Sequence, residues 1–268
     1  MEREKQMSKY VFFDIDGTLW DEKMIVPEST KLAIKKLQEN GHKAFICTGR
    51  SMGSVNDPQF DEIGFDGFIA GCGNYIEMDG KVLYDRKMSY EDVQEIYDVS
   101  RKYHMPIIFE GAKYQWLDRE GFDGDAYIDY ILEKLKDISF FLDECDLKDI
   151  VANKFSSLIH ENTNYPAVVD ALSDRFDFMD HGSGVIEAVP KGTSKATGIT
   201  WLCEHLNISQ EDTYALGDGV NDLEMLGLVG HSIAMGNANP LAKEAAEYVT
   251  THILEDGVWN ALKHYGLI

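Results

Sequence analysis

The sequence holds little of what would take it out of the ordinary run of globular proteins. It has only four cysteines, Cys47, Cys72, Cys145 and Cys203. None forms a CxxC pair, and none joins histidines at zinc-ligand spacing. That excludes a disulfide scaffold or a zinc module, and the expectation is reduced thiols in a cytoplasmic protein. No stretch approaches the roughly 18 consecutive apolar residues that a membrane span needs. The N-terminal segment MEREKQMSKY is polar, with no apolar run ahead of the first strand, which reads against a secretory signal. Basic residues are scarce: Lys and Arg total 25 against 47 Asp and Glu, a formal charge of −22. Such a surface repels a nucleic-acid backbone, so neither nucleic acid nor membrane is expected as a partner. Any phosphate site would need local positive charge from a metal, a lysine or arginine, or backbone N–H groups.

Several catalytic signatures are missing too. There is no GxxxxGK[ST] loop and no GxSxG elbow. Gly71-Cys72-Gly73 begins like a dinucleotide fingerprint, but Ile76 stands where its third glycine belongs. The eight histidines are scattered. What is present is ordinary for a soluble protein, with 44% hydrophobic and 27% charged residues. The length suffices for one large domain or two modest ones.

The hydrophobic pattern divides the chain into an outer and a middle texture. Residues 10–15 read as a buried strand, 29–39 as a helix stopped by Asn40-Gly41, 43–47 as a second strand and 68–70 as a third. Asp79-Gly80 predicts a hairpin turn. Between about 85 and 185, helices (89–103, 124–136, 165–173) interleave with short strands at 107–109, 114–117, 154–159 and 176–179. After 186 strand–helix alternation returns: a helix over 193–205 with Thr193 as N-cap, a strand at 213–216, a helix from 220, a strand at 232–235, and helices from 240 and over 256–264. The expected fold is α/β, a doubly wound Rossmann-like parallel sheet core (1–84 and 186–268) with an inserted α+β domain (85–185). Ligands in such sheets bind at the carboxyl ends of the strands.

Four polar motifs carry chemistry. Asp14-Ile15-Asp16-Gly17-Thr18 follows the first strand, and carboxylates at i and i+2 of an extended chain point the same way. Burying two such charges is costly without a cation, and carboxylate oxygens suit magnesium. A calcium loop starting at Asp14 fails, because Leu19 and Ile25 occupy its glycine and glutamate positions. Thr48-Gly49-Arg50 offers a hydroxyl and free N–H groups to a phosphate. In Pro190-Lys191-Gly192-Thr193-Ser194-Lys195, a lysine at a helix start opposes the macrodipole, a cost that an anion there would offset. Both Lys191 and Lys195 are candidates. Gly217-Asp218-Gly219-Val220-Asn221-Asp222 joins acids at i and i+4 to glycines that admit close backbone approach.

In this order and spacing the motifs resemble the haloacid dehalogenase (HAD) superfamily, most closely its Cof-type, subfamily IIB phosphatases with a C2-type cap. The resemblance implies Asp14 as nucleophile and Asp16 as general acid/base. It implies Mg²⁺ held by Asp14, the Asp16 carbonyl and Asp218. Thr48, Gly49, Lys195 and Asn221 would hold the phosphoryl group, with Lys195 favoured over Lys191, and Asp222 would orient metal-bound water or the lysine. The implied activity is hydrolysis of small phosphate esters, sugar phosphates in particular, through an aspartyl-phosphate. A phosphomutase or phosphotransferase could use the same residues, and a non-catalytic phosphometabolite-binding protein could keep the fold. Dehalogenase chemistry is disfavoured by Asp16. The family's Asn-Gly after the third strand is replaced here by Cys72-Gly73. The cap is implied to set specificity, with Tyr114, Trp116 and Tyr127 among its aromatics.

Overall fold

Four apolar residues, Tyr10–Phe13, form β1 near the middle of an eight-stranded sheet. The structure is a computed structural model that describes residues 8–55, 57–119, 121–122, 132–180 and 184–268. Helix α1 (Glu28–Glu39) follows, burying Thr30, Ala33, Ile34 and Leu37 along one face, the three-to-four spacing of an amphipathic helix. Strand β2 (Lys43–Cys47) then pairs parallel with β1, Phe12 beside Phe45. Helix α2 (Pro58–Ile63) leads to β3 (Gly67–Ala70), again parallel. The hairpin β4 (Tyr75–Met78) and β5 (Lys81–Asp85) turns at Asp79 and Gly80, both with positive φ, as expected for Asp-Gly.

The chain then builds a second, six-stranded sheet before it returns. Helix α3 (Tyr90–Lys102) starts with a capping box between Ser89 and Asp92. It is followed by β6 (Ile107–Glu110), β7 (Gln115–Leu117), β8 (Ser139–Phe141), β9 (Lys154–Leu158), helix α4 (Tyr165–Leu172), β10 (Phe176–Asp180) and β11 (Val185–Pro190). The strand order is β10-β11-β9-β6-β7-β8. One face is packed by Val93 and Ile96 of α3 and Val168 and Leu172 of α4 against Ile107, Phe109, Trp116 and Phe155. Tyr127 and most of the expected helix 124–136 lie outside the described residues. Trp116 is a core residue of this sheet, whereas Tyr114 is exposed.

The return begins with α5 (Lys195–Leu206) and β12 (Thr213–Gly217), which pairs parallel with β1, Phe13 beside Leu216. Helix α6 (Leu223–Leu228), β13 (His231–Ala234), α7 (Pro240–Ala245), the two-residue β14 (Tyr248–Val249) and α8 (Gly257–His264) complete the fold. The first sheet runs β14-β13-β12-β1-β2-β3-β4-β5. This is the expected α/β class: the sheet is parallel from β14 to β3, and β4 joins it antiparallel to β3.

By contact density the chain forms two units. The first comprises Met1–Gly49, Asp57–Leu83 and Ser194–Ile268, and the second comprises Arg50–Asn56 and Tyr84–Thr193. Residue 186, where the core was expected to resume, lies inside β11. That strand pairs antiparallel with β9 and β10, so the second unit continues to Thr193. The N-cap of α5 is Ser194 rather than Thr193. Ser194 and Thr197 close a reciprocal capping box, while the Thr193 hydroxyl donates to the Pro190 carbonyl. Among the described residues, no helix is long and apolar enough to cross a membrane, and none of the four cysteines is in a disulfide.

Candidate active site

The site is built at the carboxyl edge of the first sheet. Past Phe13, the Asp14 amide still donates to Leu216 of β12, so Asp14 leaves the strand under restraint and only 4% exposed. The chain then curls. The Ile15 carbonyl accepts from the amides of Thr18, Leu19 and Trp20. Because the strand ends at Phe13, the two aspartates do not share an extended segment: Asp14 is buried and Asp16 is exposed. Asp16 nevertheless stays close enough for its charge to act on both Asp14 and Asp218. Gly17 makes the curl possible with φ +77°. A Cβ there would lie 2.1 Å from Oδ2 of Asp218. Only glycine lets the first loop and the loop after β12 come this close.

Lys195 is the first residue of α5 and is 2% exposed. Its helix starts against the end of β3 because two glycines meet there: a Cβ on Gly198 would sit 2.8 Å from the Gly73 Cα. From that position Lys195 Nζ donates to Asp14 Oδ1 at 2.5 Å and to Asp222 Oδ1 at 2.6 Å. Asp222 is fully buried. Its Oδ2 accepts from the backbone amides of Asp218 and Gly219, both at 2.9 Å. Lys191 is placed elsewhere, with its Nζ on the Ser173 carbonyl.

Carboxylate oxygens of Asp14, Asp218 and Asp222 all lie within 4.8 Å of one another. The electrostatic result is visible in the proton affinities of Asp14, Asp218 and Lys195. Burial, followed by the charge of Asp222, holds the Asp14 carboxyl well above the usual carboxylate range, with Lys195 opposing. Burial and then Asp222 push Asp218 up to about 7. Burial works against the Lys195 ammonium, but Asp14 and Asp222 more than offset it and raise it well above its ordinary value. One ammonium thus serves three crowded acids. A hard divalent cation fits the remaining deficit, since every donor is an oxygen. Both oxygens of Asp222 already accept hydrogen bonds from this chain. That leaves Asp14 and Asp218 as the carboxylates open to a cation.

The other expected residues stand at the same edge. Thr48 and Gly49 follow β2. Thr48 is 1% exposed, its amide donating to Ile69 and its carbonyl accepting from Cys72. Asn221 lies in the 3-10 turn Val220–Asp222 after β12. Cys72 is a turn residue. Gly71, Cys72 and Gly73 have φ of 57°, 54° and 90°, and the thiol is buried.

Sequence reasoning missed Asn237, in the loop after β13. Its Nδ2 donates to the Gly17 carbonyl at 2.7 Å. The only local signal was a strand followed by Gly236-Asn237-Ala238-Asn239, which reads as an ordinary turn.

A model of haloacid dehalogenase-like hydrolases matches residues 11–262. The chain belongs to this family. Full-length relatives agree. YkrA of Bacillus subtilis, provisionally named a phosphatase, is 32% identical over 97% of this chain and 99% of its own. The 5-amino-6-(5-phospho-D-ribitylamino)uracil phosphatase YcsE of the same organism is 25% identical over 100% and 99%. Among solved structures, the HAD subclass IIB sugar phosphatase BT4131 superposes with a TM-score of 0.79 at 27% identity, covering 97% of this chain and 100% of that one. The Cof-type, subclass IIB resemblance read from the motifs is borne out, and the chain is a HAD-type phosphatase.

Proposed function

We propose that this phosphatase hydrolyses small phosphorylated metabolites, sugar phosphates foremost, with Mg²⁺ and through an aspartyl-phosphate on Asp14. The observation that carries the reading is the cluster of Asp14, Asp218 and Asp222 carboxylates around the buried Lys195, whose ammonium pairs with Asp14 and Asp222. The sugar phosphatase BT4131 and the ribityl-phosphate phosphatase YcsE support this substrate class.

Asp14 and Asp218, with the Asp16 carbonyl, are the groups that would hold Mg²⁺. When bound, the ion supplies positive charge that lets a carboxylate approach a phosphate. The protein's own residues do the rest. Thr48, Gly49, Asn221 and Lys195 hold the phosphoryl oxygens. An oxygen of Asp14 attacks phosphorus, the bond to the ester oxygen breaks, and Asp16 donates its proton to the departing alkoxide. Asp16, now ionised, takes a proton from water. The hydroxide attacks phosphorus, the bond to Asp14 breaks, and phosphate leaves with the carboxylate restored. Lys195 stabilises charge on the transferring group at no reorganisation cost, because Asp222 already fixes it. The segment 85–185 is proposed as the specificity cap. Four cysteines outside any disulfide fit a reducing cytoplasm.

The test is phosphate release from a panel of sugar phosphates with Mg²⁺, with and without EDTA. Release that needs the metal, with Asp14→Asn inactive, supports the reading. Transfer between sugars without free phosphate would make the enzyme a mutase or phosphotransferase. Equal inactivity of wild type and Asp14→Asn across the panel would favour a binding protein.

A further inference from the structure

Gly17 sits where the first loop meets Asp218, and its amide donates to the Trp20 carbonyl at 2.9 Å. Its Cα lies against the Asp218 carboxylate, at φ +77°. Glycine has the widest choice of backbone conformations, so the geometry on the carbonyl side of this residue gains from a second restraint. The restraint visible on its carbonyl is the side-chain amide of Asn237, at 2.7 Å and 220 residues away in sequence.

Asn237 is itself well anchored. Its Oδ1 accepts from the Ile253 amide at 3.0 Å, which fixes which end of the side-chain amide faces Gly17. The loop that carries it is tied down on both sides. The Met235 amide donates to Gly217, the Gly236 amide to Thr251, and the Asn239 amide to the Asp218 carbonyl at 2.8 Å. One short loop therefore holds Gly17 by its carbonyl and Asp218 by its carbonyl. These are backbone points in the Asp14–Asp16 loop and the Asp218 loop, so one loop braces both.

We propose that Asn237 is a positioning residue for the cation site. By clamping Gly17 it orients the Asp16–Gly17 peptide and holds the first loop in register with Asp218. It touches neither substrate nor the reacting atoms. The proposal rests on the reading of Asp14, Asp16 and Asp218 as cation ligands. Partners that orient the residues ligating a metal are worth about 10–100-fold in its affinity when removed.

The experiment is Mg²⁺ binding to the full chain without substrate, by calorimetry, for wild type and Asn237→Ala. It is combined with hydrogen exchange of the Gly17 and Thr18 amides and with thermal melting. Asn237→Ala is expected to raise the Mg²⁺ Kd about tenfold and to speed exchange at Gly17 and Thr18. It should lower kcat at fixed subsaturating Mg²⁺, with little change in substrate KM once Mg²⁺ is saturating. If Asn237→Ala melts too low to assay, Asn237→Asp replaces it. That variant keeps the acceptor for Ile253, loses the donor to Gly17, and adds a charge that would by itself tighten Mg²⁺. Weaker binding there supports the clamp. Wild-type Kd and exchange in the variant that is assayed would overturn it. Failure of wild type to bind Mg²⁺ would instead overturn the functional reading beneath it.

Discussion

Lys195 Nζ and Asp222 Oδ1 are 2.6 Å apart, and the other oxygen of Asp222 is held by the amides of Asp218 and Gly219. This pairing links the start of α5 to the loop after β12, and a third acid, Asp14, shares the same ammonium. Removing one partner of a buried pair leaves an uncompensated charge, at a cost of about 3–5 kcal/mol. Lys195→Met is therefore expected to lower stability by about that amount, and to lower kcat by about 10²–10³-fold. Mg²⁺ should restore part of the lost Tm, because it supplies the missing positive charge. Denaturant melts with and without Mg²⁺ check this, and a variant as stable as wild type would contradict it.

Asp14→Asn removes one of the three crowded carboxylates while keeping the shape. The carboxyl it replaces is held well above its usual range by burial and by Asp222, so its charged form is disfavoured. In EDTA the variant should melt at or above the wild-type temperature, yet turn over at least about 10⁴-fold more slowly. Wild type should gain Tm on adding Mg²⁺, and the variant should gain much less. Metal removal by EDTA should abolish wild-type turnover, and readdition should restore it. Substantial turnover by Asp14→Asn would exclude it as the nucleophile.

Much of this site was legible because its residues are consecutive. The acids of residues 14–18 and 217–222 and the lysine at the start of α5 announce themselves by local spacing. Strand ends were legible for similar reasons: Lys43–Cys47 is apolar and bounded by polar turns. Other features depended on distant partners. In β11, Glu187 is 6% exposed and pairs with Lys154 of β9, so a buried charge interrupts the apolar pattern that marks a strand. Thr193 and Ser194 look equally good as caps, and only the reciprocal bonds between Ser194 and Thr197 decide between them. The exposure of Asp16 beside the buried Asp14 goes with the strand ending at Phe13 and the curl closed on the Ile15 carbonyl. Asn237 was illegible because its role exists only through Gly17, and an asparagine after a strand is an ordinary turn residue.

Gly17→Ala tests the close approach between the two acidic loops. The added methyl would meet Asp218 Oδ2 at 2.1 Å, and the φ of +77° is itself strained for any L side chain. The two effects together should cost about 1–3 kcal/mol and displace Asp218. Mg²⁺ binding should weaken more than stability does, because the displaced group is an expected ligand. Calorimetry beside thermal melting separates the two. Unchanged Mg²⁺ affinity would show that the contact is dispensable for the cation.

Far from the site, the buried imidazole of His42 accepts a hydrogen bond at Nδ1 from the Lys9 amide, 3.1 Å away, joining the entries to β1 and β2. Burial, and then the charge of Lys9, lowers its proton affinity from the ordinary value of 6.5. Below 6.5 the unfolded chain binds the proton while the folded chain resists it, so unfolding takes up protons there. Stability from this group is therefore fully present above about 6.5 and is lost as pH falls toward the lower folded value. His42→Asn keeps a side-chain acceptor and does not titrate. Its Tm should fall less than that of wild type between about pH 7 and about pH 5, and the two curves should run parallel above that window. Parallel curves throughout would show that His42 does not contribute to the acid sensitivity of the fold.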